Sequence, residues 1–159
     1  MLNPDRHLPD STTASPIPNP QSLTRMRLEF QCTVITPERT VCDVIAEFAA
    51  LTLYDGEIGI APGRAPLIGR LGAGELRITH EGQTRRYYVQ GGFVEVVNDQ
   101  VTVLTDQAIP ADQLDAAVLQ EQLEAARARR ATTPETLAAR DRAVALSRAQ
   151  LRVAQRAVG

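Results

Sequence analysis

Between residues 28 and 106 short runs of alternating apolar and polar side chains follow one another, five of them closed by a turn dipeptide. In the first, Leu28, Phe30, Cys32 and Val34 alternate with Glu29, Gln31 and Thr33, the period of two that marks a half-buried strand. Similar runs lie at 40–46, 48–54, 57–61, 66–71, 75–80, 84–90, 93–97 and 101–106. Asp55-Gly56, Pro62-Gly63, Glu81-Gly82, Gly91-Gly92 and Asn98-Asp99 punctuate them, and such pairs supply the positive φ or fixed φ that tight turns need. Because no helical period intervenes, the spacing predicts an antiparallel β-sandwich or flattened barrel, not a parallel sheet.

The period changes after Pro110. Residues 113–131 read as a helix with Asp112 as cap and Asp115 in its first turn, where a carboxylate favours the helix dipole. Thr133 and Pro134 then fit the N-cap and first position of a second helix that runs nearly to the end. A connection this short folds two helices into an antiparallel hairpin. The expected organisation is a proline-rich, disordered leader over 1–26, a sandwich over 27–110 and a helical hairpin over 111–159. Met26 stands directly before the first strand and is an expected alternative start of translation.

The two folded parts differ in the apolar surface they can bury. Residues 28–109 carry 29 large apolar side chains in 82 positions, whereas 112–158 carry 10 in 47. Alanine fills much of the hairpin, so its helices form readily but are expected to dock weakly. Leu137, Val144, Leu151 and Val158 recur every seven residues, but Asp141, Ser147 and Arg148 occupy the intermediate positions, and a stable coiled coil is not expected.

Charge is divided along the chain although the total is only −2. Residues 1–112 hold 9 arginines against 14 acids, and 113–159 hold 8 against 5, so the front is acidic and the tail basic. That balance argues against nucleic acid or an anionic membrane as the main partner. No apolar run reaches the roughly 20 residues of a membrane span, and the leader lacks the apolar stretch of a secretory signal. Together these features predict a chain retained in the cytoplasm. Its two cysteines, Cys32 and Cys42, fit neither a disulfide framework nor a zinc spacing.

No catalytic set emerges. The histidines, His7 in the leader and His80 at a strand end, give neither a metal pair nor a triad. Asp55 and Glu57 are a possible carboxylate pair, but a turn accounts for them. Gly69, Gly72 and Gly74 lack the lysine and the following helix of a phosphate loop. Arg85-Arg86-Tyr87-Tyr88 reads as an alternating strand and not as a base-stacking platform. Neither cofactor nor metal is expected.

The run from Leu53 to Leu67, Leu-Tyr-Asp-Gly-Glu-Ile-Gly-Ile-Ala-Pro-Gly-Arg-Ala-Pro-Leu, resembles the most recognisable stretch of bacterial F-type ATP synthase epsilon subunits. Thr36-Pro37-Glu38, Gly91 to Val96, Val101 to Leu104 and Ala149 to Val153 extend the resemblance over about residues 28–155. It implies a non-catalytic central-stalk subunit that joins the gamma subunit to the membrane rotor ring of c subunits. Such a subunit is peripheral on the cytoplasmic side of the inner membrane of a proton-translocating synthase, and is membrane-associated only through the complex. By the same resemblance Glu57 is a ring contact, and Arg64 stands where relatives often carry histidine, also near the ring. The hairpin is then a mobile inhibitor of ATP hydrolysis that meets acidic beta-subunit segments, with Arg127, Arg129, Arg130, Arg140, Arg148 and Arg152 as its contacts. Family members that bind ATP carry an arginine three residues after the aspartate that Asp115 matches, and Val118 stands there instead. A free-standing ATP-sensing module is the rival reading, and an acid/base hydrolase using Asp55 and Glu57 a third.

Overall fold

A computed structural model describes residues 29–158; the leader expected over 1–26 lies outside them. Nine strands come first: β1 (Phe30–Ile35), β2 (Thr40–Ala46), β3 (Phe48–Leu53), β4 (Gly56–Ile60), β5 (Leu67–His80), β6 (Gln83–Gln90), β7 (Phe93–Val97), β8 (Gln100–Leu104) and β9 (Gln107–Pro110). A 3₁₀ turn, Ala111–Gln113, leads into the helices α1 (Ala116–Arg127) and α2 (Pro134–Val158).

The strands form two layers that share β5. Its first residues, Leu67 to Arg70, pair with β7 in the layer β2-β1-β8-β7, and Ala73 to His80 pair with β6 in the layer β4-β3-β5-β6-β9. All pairs are antiparallel except β1 with β8, which lie parallel. Parallel neighbours need a long crossover, and here everything from β2 to β7 intervenes. Inward residues of both layers, among them Val34, Leu51, Leu76, Ile78, Val89, Val94 and Val103, make one fully buried core. This is the expected sandwich followed by a two-helix hairpin.

Three local expectations are corrected. The runs at 66–71 and 75–80 are one strand, not two. Gly72 and Gly74 let β5 pass tightly against β3 instead of turning: a Cβ on Gly74 would stand 2.5 Å from Thr52 Oγ1, and one on Gly72 3.0 Å from the Leu53 carbonyl oxygen. The run at 101–106 ends at Leu104. There the buried Thr105 hydroxyl donates to the carbonyl oxygens of Gln90 and Gln107, turning the chain into β9, which apolar periodicity did not reveal. Gly92 permits the opposite turn, with φ +96 and a would-be Cβ 1.8 Å from the Leu104 carbonyl oxygen.

The first helix starts at Ala116 and ends at Arg127, not at 113 and 131. Asp112 lies within the 3₁₀ turn, and Leu114 is extended. Asp115 is the N-cap; its carboxylate accepts from the Ala117 and Val118 amides at 2.9 and 3.4 Å. At the second helix Thr133 caps as expected: its hydroxyl accepts from the Thr136 amide at 3.2 Å, and Thr136 Oγ1 reciprocates toward the Thr132 and Thr133 amides. Leu119, Leu123, Leu151 and Ala154 hold the two helices together. Ala149 and Val153 seat α2 on Tyr88 and Ala111, so the hairpin covers the outer face of the β5–β6 layer.

Candidate functional site

The sheet alternation decides which chemistry faces outward on each layer. Along β5 and β6, Leu76, Ile78, Tyr87 and Val89 enter the core, which leaves Glu75, Arg77, Arg86 and Tyr88 on the face under α2. Arg77 and Arg86 stand directly opposite each other across the strands, and like charges so placed need a counter-ion. Glu75 supplies it: its Oε1 accepts from Arg86 Nη1 at 2.8 Å and lies 3.3 Å from Arg77 Nε. Although charged, Glu75 is only 7% exposed, and its Oε2 is buried with no donor among the described residues. Arg156 of α2 approaches the same Oε1 at 3.9 Å. A cavity of about 150 Å³ opens beside this group, lined by Thr52, Glu57, Glu75, Arg152 and Arg156.

Glu57, the second residue of β4, is exposed, with its carboxylate held by Arg77 Nη2 at 2.6 Å. Arg64 lies beyond the other end of β4, where Nη1 donates to the Gly59 carbonyl oxygen at 3.2 Å; the neighbouring Gly63 amide donates to Asp99 at 2.7 Å. Asp55 is exposed in the β3–β4 turn, and the Glu57 carboxylate is already engaged by Arg77. The six tail arginines fall into two groups. Arg127 ends α1, Arg129 and Arg130 follow it in the connection, and Arg140 lies in the second turn of α2 beside Asp141 at 3.7 Å; all but the half-buried Arg140 are exposed. Arg148 and Arg152 stand together further along α2, flanking Leu151 in a shallow groove.

Residues that the sequence did not single out are Glu75 and Arg77, and Arg86 was read there only as part of an alternating strand. The register of the β5–β6 hairpin is what identifies them, because it sets two arginines opposite each other with an acid two residues away. Tyr88, above them, donates its hydroxyl to Gln90 Oε1 at 2.9 Å, and burial pushes its pKa up to about 12. Tyr87, pointing into the core, is likewise raised by burial. The free thiols Cys32 and Cys42 face inward on adjacent strands, and burial pushes Cys32 up to about 12. Among the described residues no group of three metal-ligating side chains occurs, and no helix is long and apolar enough to cross a membrane.

The opposite layer leaves its outer face open. Ile35, Leu104, Phe93 and Arg70 lie side by side across β1, β8, β7 and β5. Phe93 is 56% exposed and Leu104 50%. Ile68 and Tyr54 continue the strip, and the Arg70 guanidinium sits 5.0 Å over the Tyr54 ring.

Comparison with known proteins gives a consistent result. Residues 29–111 match the family model described as ATP synthase, Delta/Epsilon chain, beta-sandwich domain. The ATP synthase epsilon chain of Rhodopirellula baltica is 45% identical over 128 residues, which are 80% of this chain and 100% of that one. The epsilon chain of Desulfitobacterium hafniense is 38% identical over 127 residues, covering 78% and 93%. Among solved structures, a chain of the Euglena gracilis mitochondrial ATP synthase (OSCP/F1/c-ring) aligns with TM-score 0.72 and 22% identity over 76% of this chain and 78% of that one. A chain of the Tetrahymena thermophila central stalk and c-ring aligns with TM-score 0.61 and 14% identity over 78% and 95%. At those identities the structural likeness is one of fold.

Proposed function

Because the chain belongs to the ATP synthase epsilon chain family, whose members are accessory and not catalytic subunits, we propose that it works as a rotor-stalk subunit joining the gamma subunit to the ring of c subunits. The observation that carries this reading is the open apolar strip of Leu104, Phe93, Ile68 and Tyr54, edged by the half-buried Ile35. A contiguous apolar face of this kind is an interaction surface, and its aromatic and arginine content is that of interface cores. The gamma subunit is its occupant in this reading. Glu57 and Arg64, at opposite ends of β4, then meet the ring and its surroundings at separate points. The subunit then lies peripherally on the cytoplasmic side of a bacterial inner membrane, held there only through the complex, which couples to protons.

The finer part of the proposal concerns regulation. The sandwich over 27–110 is a self-sufficient clamp, and the hairpin over 111–159 is a detachable arm that hinders ATP hydrolysis when its arginines reach acidic segments of the beta subunits. What supports this is the contrast between the large sandwich core and the small Tyr88–Ala149–Val153 seam under α2, together with the exposed arginines along the arm. An ATP-sensing module is not favoured, since the Asp115 carboxylate is occupied as N-cap and Val118 offers no cation. The test is photo-crosslinking in native membranes from probes placed at Phe93, Glu57 and Arg64. Gamma is expected from Phe93, and c subunits from at least one of the other two. Exclusive capture of other proteins from Phe93 would refute the docking assignment. For the regulatory part, a complex assembled with residues 1–110 only is expected to hydrolyse ATP faster than one with the full chain.

A further inference from the structure

The hairpin and the sandwich meet at a charge cluster whose balance hangs on one residue. A carboxylate removed from water is stable only with fixed positive charge around it, and Glu75, though 7% exposed, has Arg86 at 2.8 Å and Arg77 at 3.3 Å from its own layer. The helix above adds Arg156 at 3.9 Å from the same oxygen, and Arg152 lines the same cavity. Three guanidinium groups thus lie within 4 Å of Glu75, Arg77 also holds Glu57, and Arg152 lines the cavity beside both carboxylates. An arginine of α2 is attracted by Glu75 but repelled by Arg77 and Arg86. Without the Glu75 charge, Arg156 would face Arg77 and Arg86 across the seam, with Glu57, already held by Arg77, as the remaining acid of the cavity.

We propose that Glu75 is the catch that holds α2 on the sandwich through Arg156, with Arg152 beside it, so that this end of the arm is drawn to the sandwich until the catch opens. This rests on the reading of the hairpin as a regulatory arm, and it adds a competitor: Glu75 and an acidic partner claim the same helix face, and Arg152 belongs to both. The catch sets the resting position of the arm without touching the apolar strip on the other layer.

The experiment is hydrogen exchange on the isolated full chain, comparing α2 amides with those of β1 and β8. Glu75→Gln is expected to speed α2 exchange about fivefold at low salt, the upper range for a partly exposed ion pair, with β1 and β8 unchanged. Adding Arg156→Gln to Glu75→Gln is expected to slow α2 exchange again, because it removes a repelled cation; in the parent, Arg156→Gln alone slightly speeds it. At 1 M salt, where the screening length is about 3 Å, the difference between the parent and Glu75→Gln should narrow, since the half-exposed Arg156 is open to screening. If Arg156→Gln speeds exchange equally in both backgrounds, or if salt leaves the difference intact, the catch is refuted. Arg156 is 59% exposed, so its variant folds even if Glu75→Gln does not. Should deletion of the hairpin leave ATP hydrolysis by the assembled complex unchanged, the regulatory reading fails while the catch still stands.

Discussion

Substituting Val153 by alanine tests whether the arm can let go while the clamp stays folded. Val153 is 2% exposed and packs with Tyr88, Ala111 and Ala149, the small cluster that seats α2 on the β5–β6 layer. Val→Ala removes two methyl groups, worth about 0.8 kcal/mol each in burial, and leaves a void that adds a few tenths more. The expected loss is about 2 kcal/mol, roughly a thirtyfold shift toward the undocked arm at 1.4 kcal/mol per factor of ten. None of that is drawn from the sandwich core, which closes around Val34, Leu51, Leu76 and Val103 without any helix residue.

Hydrogen exchange followed by peptide is the assay, since local opening and global unfolding separate in it. Amides in α2 should exchange roughly thirtyfold faster, and those in β1, β3 and β8 should keep the parent's rate. Leu76→Ala is the converse control: it should cost about 2–5 kcal/mol and accelerate strands and helices together. If Val153→Ala accelerates the strands as much as the helix, the two parts open as one unit. The sandwich and the hairpin would then share one cooperative core.

Three further outcomes follow from local geometry. Asp115→Ala should cost about 1 kcal/mol of helix stability because it removes the N-cap, whereas Asp112→Ala should stay within about 0.5 kcal/mol; exchange at the start of α1 distinguishes them. Gly74→Ala should destabilise by about 1–3 kcal/mol in thermal or urea melts, since its methyl would press on Thr52 Oγ1 at 2.5 Å. Tyr88 keeps its proton to about pH 12 in the folded chain and ionises near 10 when unfolded. Its contribution is therefore complete below pH 10 and disappears as pH rises toward 12. Cys32, raised from 9.0 to about 12, begins the same loss near pH 9. Melting temperature against pH should thus fall steeply on the alkaline side, and Tyr88→Phe should remove part of the slope.

What could be read before folding was periodicity, and what could not was register. Strand β1 is legible because Phe30, Cys32 and Val34 alternate with polar neighbours and only one face is buried. Strand β9 is not, because four residues ending in proline carry no period. The glycines of β5 look like a turn when spacing is the only guide, and their true role appears only with Thr52 and Leu53 beside them. The first helix was displaced because two aspartates, three residues apart, are equally good caps on paper. The extended Leu114 between them awards the cap to Asp115. Glu57 and Arg64 could be named from a motif, but the partners that fix them, Arg77 and the Gly59 carbonyl, come from strand pairing. Glu75 was invisible for the same reason: a single acid in a strand reads as solvent-facing until a helix is laid over it.

The two faces of the sandwich set the terms on which the arm can move. One face is left bare, with Phe93 and Leu104 half exposed, and can hold a partner whatever the helices do. The other is covered by the chain's own α2, which hides Tyr88 completely and draws Arg156 toward Glu75. Releasing α2 returns Tyr88 to water at a cost of about 2 kcal/mol, and it also bares Ala149 and Val153. An arm with so little else to lose does not need a large force to leave, but it does need a destination. A partner that binds the freed helix shifts the arm outward only by the difference between its affinity for that helix and the seam's own hold. Linkage then works in both directions: whatever tightens the seam, whether salt-sensitive attraction at Glu75 or packing at Val153, weakens capture of the arm by the same factor.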